Sequence, residues 1–195
     1  MPQLMIIVGS TRPGRAGLPI SRWFTDQAKA HGGFETAVTD LAELALPLLD
    51  EPNVPRLRQY TRQHTLDWSA VVDAADAVVF ITPEYNFGYP ATIKNAIDYL
   101  HAEWHHKPVG FVSYGGVSAG TRAVQQLKQV VTTLRMLPVF EGVNIAWHPQ
   151  FIREGEFHAD GAMDQAAAAM LDELVRTEEA LRPLRASSRR ALSTS

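Results

Sequence analysis

The sequence predicts an α/β domain built as a doubly wound, five-stranded parallel sheet of strand order 2-1-3-4-5, on three observations. Short apolar runs rich in Val, Ile and Phe recur without polar alternation, as in strands buried on both faces: LMIIV (4–8), AVVFI (77–81), VGFVS (109–113) and VNIAW (143–147). Helical patterns separate these runs, which implies right-handed crossovers and helices on both faces of the sheet. The length, 195 residues, suits one such core and is too short for two full catalytic domains.

Taken in order, the first strand (4–8) leads through a loop to a helix at about 18–31. FETAVTDL (34–41) alternates apolar with polar residues and reads as an edge strand. LALPLLDEPNVPR (44–56) carries three prolines among apolar residues, the mark of a long ordered loop. A helix is expected at about 57–75, whose Arg56, Arg58 and Arg62 would form a solvated face. After the strand at 77–81 comes a helix over 90–101, with Pro90 near its first turn. The strand at 109–113 is followed by a helix at about 119–136 and the strand at 143–147. MDQAAAAMLDELVRTEEAL (163–181) is rich in strong helix formers and predicts the last helix. Trp23, Trp68 and Trp147 are assigned to the core. Residues 1–184 are expected as one domain. The closing RASSRRALSTS (185–195) has little to bury and is expected as an unstructured tail.

Composition narrows the function. With 18 basic and 21 acidic residues the formal charge is −3, which gives no reason to expect a nucleic-acid or membrane partner. Cysteine is absent, so disulfides, thiolate metal sites, iron–sulfur clusters and a cysteine nucleophile are all excluded. The N-terminal MPQLMIIVGS has no basic start and no long apolar run, so a soluble, cytoplasmic protein is expected. HAEWHH (101–106) spaces His101 and His105 four apart, but Pro108 argues against a helix reaching that far, and no metal site is expected.

In a doubly wound sheet, ligands bind beyond the carboxyl ends of the strands. The first such end carries GSTRPGRAG (9–17). Gly9 and Gly14 have the spacing of a nucleotide phosphate loop, but Arg15 and Ala16 stand where lysine and a hydroxyl are needed. No G-x-G-x-x-G is present either. What remains is Ser10, Thr11, Arg12, Arg15 and the N–H groups opening the next helix, donors that can surround a terminal phosphate monoester without a metal. The third strand ends in TPEYNFGYPATIKNAIDYL (82–100), a turn crowded with Tyr85, Phe87 and Tyr89. The fourth ends in SYGGVSAGTRA (113–123), where Gly115, Gly116 and Gly120 let the backbone approach a ligand closely. Together the loops offer flat walls and exposed amides to a planar heteroaromatic ring beside a phosphate cradle, the shape of flavin mononucleotide (FMN).

Over roughly residues 4–150 these motifs resemble the NADPH-dependent FMN reductases of the flavodoxin-like superfamily, which include quinone, azo-dye and chromate reductases. GSTRPGR is similar to the family's phosphate loop, PEYNFGYPATIKNAIDYL to its flavin-ring loop and SYGGVSAG to its third flavin-contacting loop. The resemblance implies a flavodoxin-like, FMN-binding domain that takes electrons from NADPH or NADH and passes them to a small-molecule acceptor; because a planar flavin so bound has one exposed face, donor and acceptor are expected to use it in turn, in ping-pong order. It implies that Ser10, Arg12 and Arg15, with Gly17 beside them, hold the phosphate. Pro83, Glu84, Tyr85, Asn86 and Gly88 would flank the isoalloxazine, and Ser113, Tyr114, Gly115 and Gly116 would close its other side. The chain departs from its relatives at Ala16 and Gly17, where hydrophilic residues are frequent. A homodimer or homotetramer is also implied.

Two other readings stand beside this one. A flavodoxin-like electron carrier or flavin-binding sensor would need the same loops without using a nicotinamide itself. GVSAG (116–120) matches the nucleophile elbow of serine hydrolases, with Ser118 as nucleophile and, as partners, Glu141 before His148 or His158, or Glu154 or Glu156 before His158. That hydrolase reading leaves the arginine loop and the PEYN turn unexplained.

Overall fold

The computed structural model describes residues 1–193, and side chains through residue 187. Its main sheet is assembled from β1 (Gln3–Val8), β2 (Glu35–Asp40), β3 (Ala77–Pro83), β4 (Pro108–Gly115), β5 (Leu137–Pro138) and β6 (Val143–Ala146). All pairings are parallel and the order is β2-β1-β3-β4-β5, with β6 also on β4. Every residue of β3 is buried, and so is β1 from Leu4 onward, as the unbroken apolar runs require. The alternating β2 lies at the edge of the sheet.

The helices are α1 (Gly17–His31), α2 (Leu41–Leu44), α3 (Gln63–Ala74), α4 (Ala91–Asp98), α5 (Thr121–Thr133) and α6 (Gly161–Ser193). Successive strand residues point to opposite faces, so the sheet builds two cores. Met5, Ile7, Val78 and Phe80 meet Trp68 and Val72 of α3, Ile93 and Ile97 of α4, and Leu127 and Val131 of α5. On the other face Leu4, Ile6, Val79 and Ile81 meet Ile20 and Phe24 of α1 and Met170, Leu171 and Leu174 of α6. Trp68 and the fully buried Trp104 donate their indole N–H groups to the carbonyls of Ala96 and Ile97, at 2.8 and 3.1 Å, which removes the penalty of burying them.

The doubly wound architecture and strand order agree with the sequence reading, but five details differ. The fifth strand is split in two. Val109 lies opposite Pro138 and Val112 opposite Val143, so two residues of β4, Gly110 and Phe111, face four, 139–142. The surplus is expelled as a bulge with Phe140 at its crest, 92% exposed. The helix expected from 57 begins only at Gln63, because Pro55–Leu57 forms a short 3-10 turn closed by a left-handed Arg58. Arg58 then pairs with Asp73 and Glu103 rather than lying on a solvated helix face. Trp147, assigned to the core, is 59% exposed. The tail expected over 185–195 is helical as far as Ser193, and residues 194 and 195 lie outside the described residues. The reason is electrostatic. Arg185 is buried against Glu178 and also reaches Asp76 at 3.0 Å and the His106 carbonyl at 3.2 Å.

Candidate functional site

Because β1, β3 and β4 are parallel neighbours, their carboxyl ends come together at one edge of the sheet. The loop after β1 is anchored where the Gly9 N–H donates to the Ile81 carbonyl (3.0 Å) and Thr92 Oγ1 donates to the Gly9 carbonyl (2.6 Å). Ser10 is fully buried, its hydroxyl 2.5 Å from that of Tyr85. A turn closed by the Arg15 N–H on the Arg12 carbonyl (3.1 Å) delivers the chain into α1, which has no side-chain cap at its N-terminus. The N–H groups of its first turn therefore remain available to an anion.

The two arginines of this loop are not equivalent. Arg15 forms an ion pair with the buried Asp40, whose other oxygen caps α2, and its Nε is buried without a partner. Arg12 is exposed, and its side chain makes no ion pair or hydrogen bond with any described residue. It stands beside a cavity of about 60 Å³ whose lining includes Ser10, Pro83, Glu84, Tyr85, Tyr114 and Gly115.

Across this cavity, Tyr85 and Gly88 exchange two backbone hydrogen bonds, at 2.8 and 2.9 Å, around Asn86 and Phe87, both with positive φ. That is the geometry of a two-residue primed turn, which asparagine tolerates and phenylalanine resists. Tyr114, next to last in β4, stands in the other wall, where burial raises its hydroxyl pKa well above the usual value and keeps it protonated. Among the described residues the hydroxyl makes no well-aligned hydrogen bond, though Ser10 lies near enough to oppose the rise in its pKa, and a side chain at Gly17 would crowd it, an added Cβ lying 3.0 Å away. A buried tyrosine donor, the Arg15 Nε and an uncapped helix start are the parts a phosphate monoester completes. The residues present therefore fit the phosphate end of FMN.

Seven of the thirteen predicted residues line the cavity: Ser10, Arg12, Pro83, Glu84, Tyr85, Tyr114 and Gly115. The others stand around it. Asn86 and Gly88 shape the turn, Gly17 lies under Tyr114, and Arg15 is turned to Asp40. Ser113 is fully buried and spends its hydroxyl on the Ala119 carbonyl (2.8 Å) and Asn144 Oδ1 (2.9 Å), so it braces the loop from behind. Gly116 accepts from the Trp147 N–H at 3.3 Å.

Three contributors escaped the sequence reading. Ala16 lines the cavity at the start of α1. His148 also lines it, donating from Nδ1 to the Gly115 carbonyl (3.2 Å), with its ring edge-on to Tyr114. Burial, aided by nearby Arg12 and opposed by that hydrogen bond, lowers its pKa and favours the neutral ring. Arg122 binds Glu84 through Nε at 2.6 Å and Nη2, and donates to Ser118 Oγ at 2.9 Å. It had one local signal, as a cation in the first turn of a helix, where the dipole disfavours it. Burial alone would raise the Glu84 pKa, but hydrogen bonds from Arg122 and Ser118 outweigh it and hold the carboxyl below its usual range. Ser118 is thus engaged by an ion pair instead of an imidazole. The His101–His105 spacing carries no helix-based metal argument either, because α4 ends at Asp98.

Comparison with known proteins agrees with this geometry. The family model of NADPH-dependent FMN reductase matches residues 2–148. An NAD(P)H-dependent FMN reductase of Schizosaccharomyces pombe is 41% identical over 137 residues, 69% of this chain and 68% of that one. An FMN-dependent NADPH-azoreductase of Staphylococcus aureus is 27% identical over 176 residues, 88% of this chain and 92% of the relative. Among solved structures, the flavoenzyme NAD(P)H:(acceptor) oxidoreductase FerB of Paracoccus denitrificans superposes with a TM-score of 0.72 at 23% identity, covering 92% of this chain and 98% of that one. The strand-end loops, their unpartnered donors and these likenesses agree: the chain belongs to the NADPH-dependent FMN reductase family.

Proposed function

We propose that this enzyme carries electrons from NADPH or NADH to a quinone, a free flavin or a similar small acceptor, in ping-pong order. The observation that carries the reading is the convergence of three strand-end loops on one cavity holding Ser10, Arg12, Tyr85 and Tyr114. Bound FMN supplies the hydride-accepting and electron-releasing chemistry. The chain's part is to bind and orient. Ser10, Arg12, the Tyr114 hydroxyl and the first-turn N–H groups of α1 hold the phosphate, with Arg15 Nε and Gly17 at its edge. Pro83, Glu84, Tyr85, Asn86 and Gly88 form one wall of the ring slot. Tyr114, Gly115 and Gly116 form the other, braced by Ser113. Donor and acceptor then share a single open face and use it in turn.

Stopped-flow spectra of the purified holoenzyme test this. NADPH should bleach the flavin band before any acceptor is added, and steady-state double-reciprocal plots should give parallel lines. Intersecting lines would refute the shared face, and a flavin that NADPH leaves oxidised would favour a carrier. We further infer a homodimer or homotetramer in the cytoplasm. No described helix is long and apolar enough to cross a membrane, and the cysteine-free composition suits a reducing compartment. Light scattering should give a mass of two or four chains.

A further inference from the structure

We propose that Arg122 is the positioning residue of the slot between the β3–α4 and β4–α5 loops, holding Glu84 across the gap and cancelling its charge there. This rests on the assignment of those two loops to the flavin ring. Arg122 is the point at which they are tied together. Its backbone N–H and Nε donate to the two Glu84 oxygens at 3.2 and 2.6 Å, and Nη2 reaches Ser118 Oγ at 2.9 Å. The guanidinium carbon also lies over the Phe87 ring, 3.7 Å from its centroid. One turn later on α5, Gln126 Nε2 donates to the Phe87 carbonyl at 3.1 Å.

Two locally unfavourable choices meet here. Phe87 is held at φ 69°, and a cation is placed in the first turn of a helix. Strain of this kind persists where the surrounding contacts over-determine it, commonly beside a working site. The Glu84 side chain is only 5% exposed and faces the cavity, where a carboxylate without Arg122 would be left desolvated among the ligand-binding groups. The other charged or titratable groups lining that cavity are Arg12, Tyr85, Tyr114 and His148. Among the described residues, only Arg122 touches the Glu84 carboxylate through an ion pair.

Without the Arg122 side chain, the Glu84 carboxyl would keep only the Ser118 hydroxyl and the residue-122 backbone N–H against the cost of burial, so its pKa would rise. Above that point an uncompensated carboxylate would oppose a ring closing over it, and below it the carboxyl would be neutral and tolerated. The test is flavin affinity by fluorescence titration at about pH 5.5 and about pH 8. It uses both FMN and riboflavin, because riboflavin lacks a phosphate that itself titrates near pH 6. Arg122→Ala should weaken riboflavin binding about tenfold at the higher pH and no more than about threefold at the lower, one pKa unit being worth a factor of ten. The double change Glu84→Gln with Arg122→Ala should abolish this pH dependence. Arg122→Lys keeps the charge but not the guanidinium's several donors, so it should restore the pH profile and only part of the affinity. The last two variants keep the test sharp if Arg122→Ala fails to fold. An equal loss at both pH values that Glu84→Gln does not relieve would make Arg122 merely structural and overturn the proposal. Wild-type protein binding neither flavin would instead overturn the loop assignment on which it rests.

Discussion

Replacing Tyr114 by phenylalanine removes one oxygen atom, and the structure predicts opposite effects on the free protein and on the complex. The hydroxyl belongs to a residue 3% exposed and, among the described residues, makes no well-aligned hydrogen bond and only approaches Ser10, so the free protein bears part of the penalty of about 1–3 kcal/mol for a buried unsatisfied group. Removing it should stabilise the apoprotein. A gain of about 1 kcal/mol corresponds to a rise of about 2–4 °C in Tm for a chain of this size. With FMN bound as proposed, the same hydroxyl would donate to a charged phosphate, a bond worth about 1.5–3 kcal/mol. The two terms add in the binding cycle to about 2.5–4 kcal/mol, so FMN affinity should fall about 70- to 900-fold while riboflavin affinity changes by less than about threefold. Calorimetric melting of the apoprotein, with fluorescence titration of both flavins, measures every leg. A lowered apoprotein Tm, or equal losses for FMN and riboflavin, would refute the assignment of this hydroxyl to the phosphate.

Arg12→Ala should weaken FMN binding by about 1.5–3 kcal/mol in the same titration, and riboflavin binding far less, because Arg12 is the unpaired cation of the loop. Arg15→Ala should cost less FMN affinity than Arg12→Ala, since its guanidinium is already committed to Asp40. Gly115→Val should abolish flavin uptake, measured by absorbance, because even a Cβ there lies 3.1 Å from the Gly120 backbone nitrogen. Arg185→Ala should destabilise the fold by about 3 kcal/mol in urea unfolding, by leaving Glu178 buried and short of a partner. Burial raises the Glu178 pKa, but Arg182 and Arg185 outweigh it, so its folded value lies below the usual 4.5. The stability it contributes should be present above pH 4.5 and lost as pH falls through the folded value, and Arg185→Ala should flatten that acid limb.

Strands β1, β3 and β4 were legible because a strand buried on both faces leaves an unbroken apolar run, and their loops because glycine, proline and arginine clusters mark turns and anion sites. What was not legible depended on partners distant in the chain. The terminal RASSRR reads as solvated until Asp76, 109 residues away, is seen to receive Arg185. Pro183 inside α6 conceals the continuity further, since proline normally ends a helix. Nothing local says that Arg15 will turn to Asp40 while Arg12 stays free, or that Ser113 will face its own loop. Trp147 follows an apolar run and looks buried, but the strand stops at Ala146 and a left-handed turn swings the indole outward. Leu137–Pro138 is too short to register as a strand at all.

The split fifth strand bears on solubility. An outer strand normally presents an uninterrupted row of N–H and C=O groups, a template on which a stray chain can extend the sheet. Here the outer rim beyond β4 comes in pieces of two and four residues, set apart by the loop that carries Phe140 outward. An incoming strand would lose register at the interruption before it had made enough hydrogen bonds to stay. The four residues that break the pairing thus act as a guard against uncontrolled sheet growth, and excising part of 139–142 to fuse the two pieces should make the protein more prone to form fibrils.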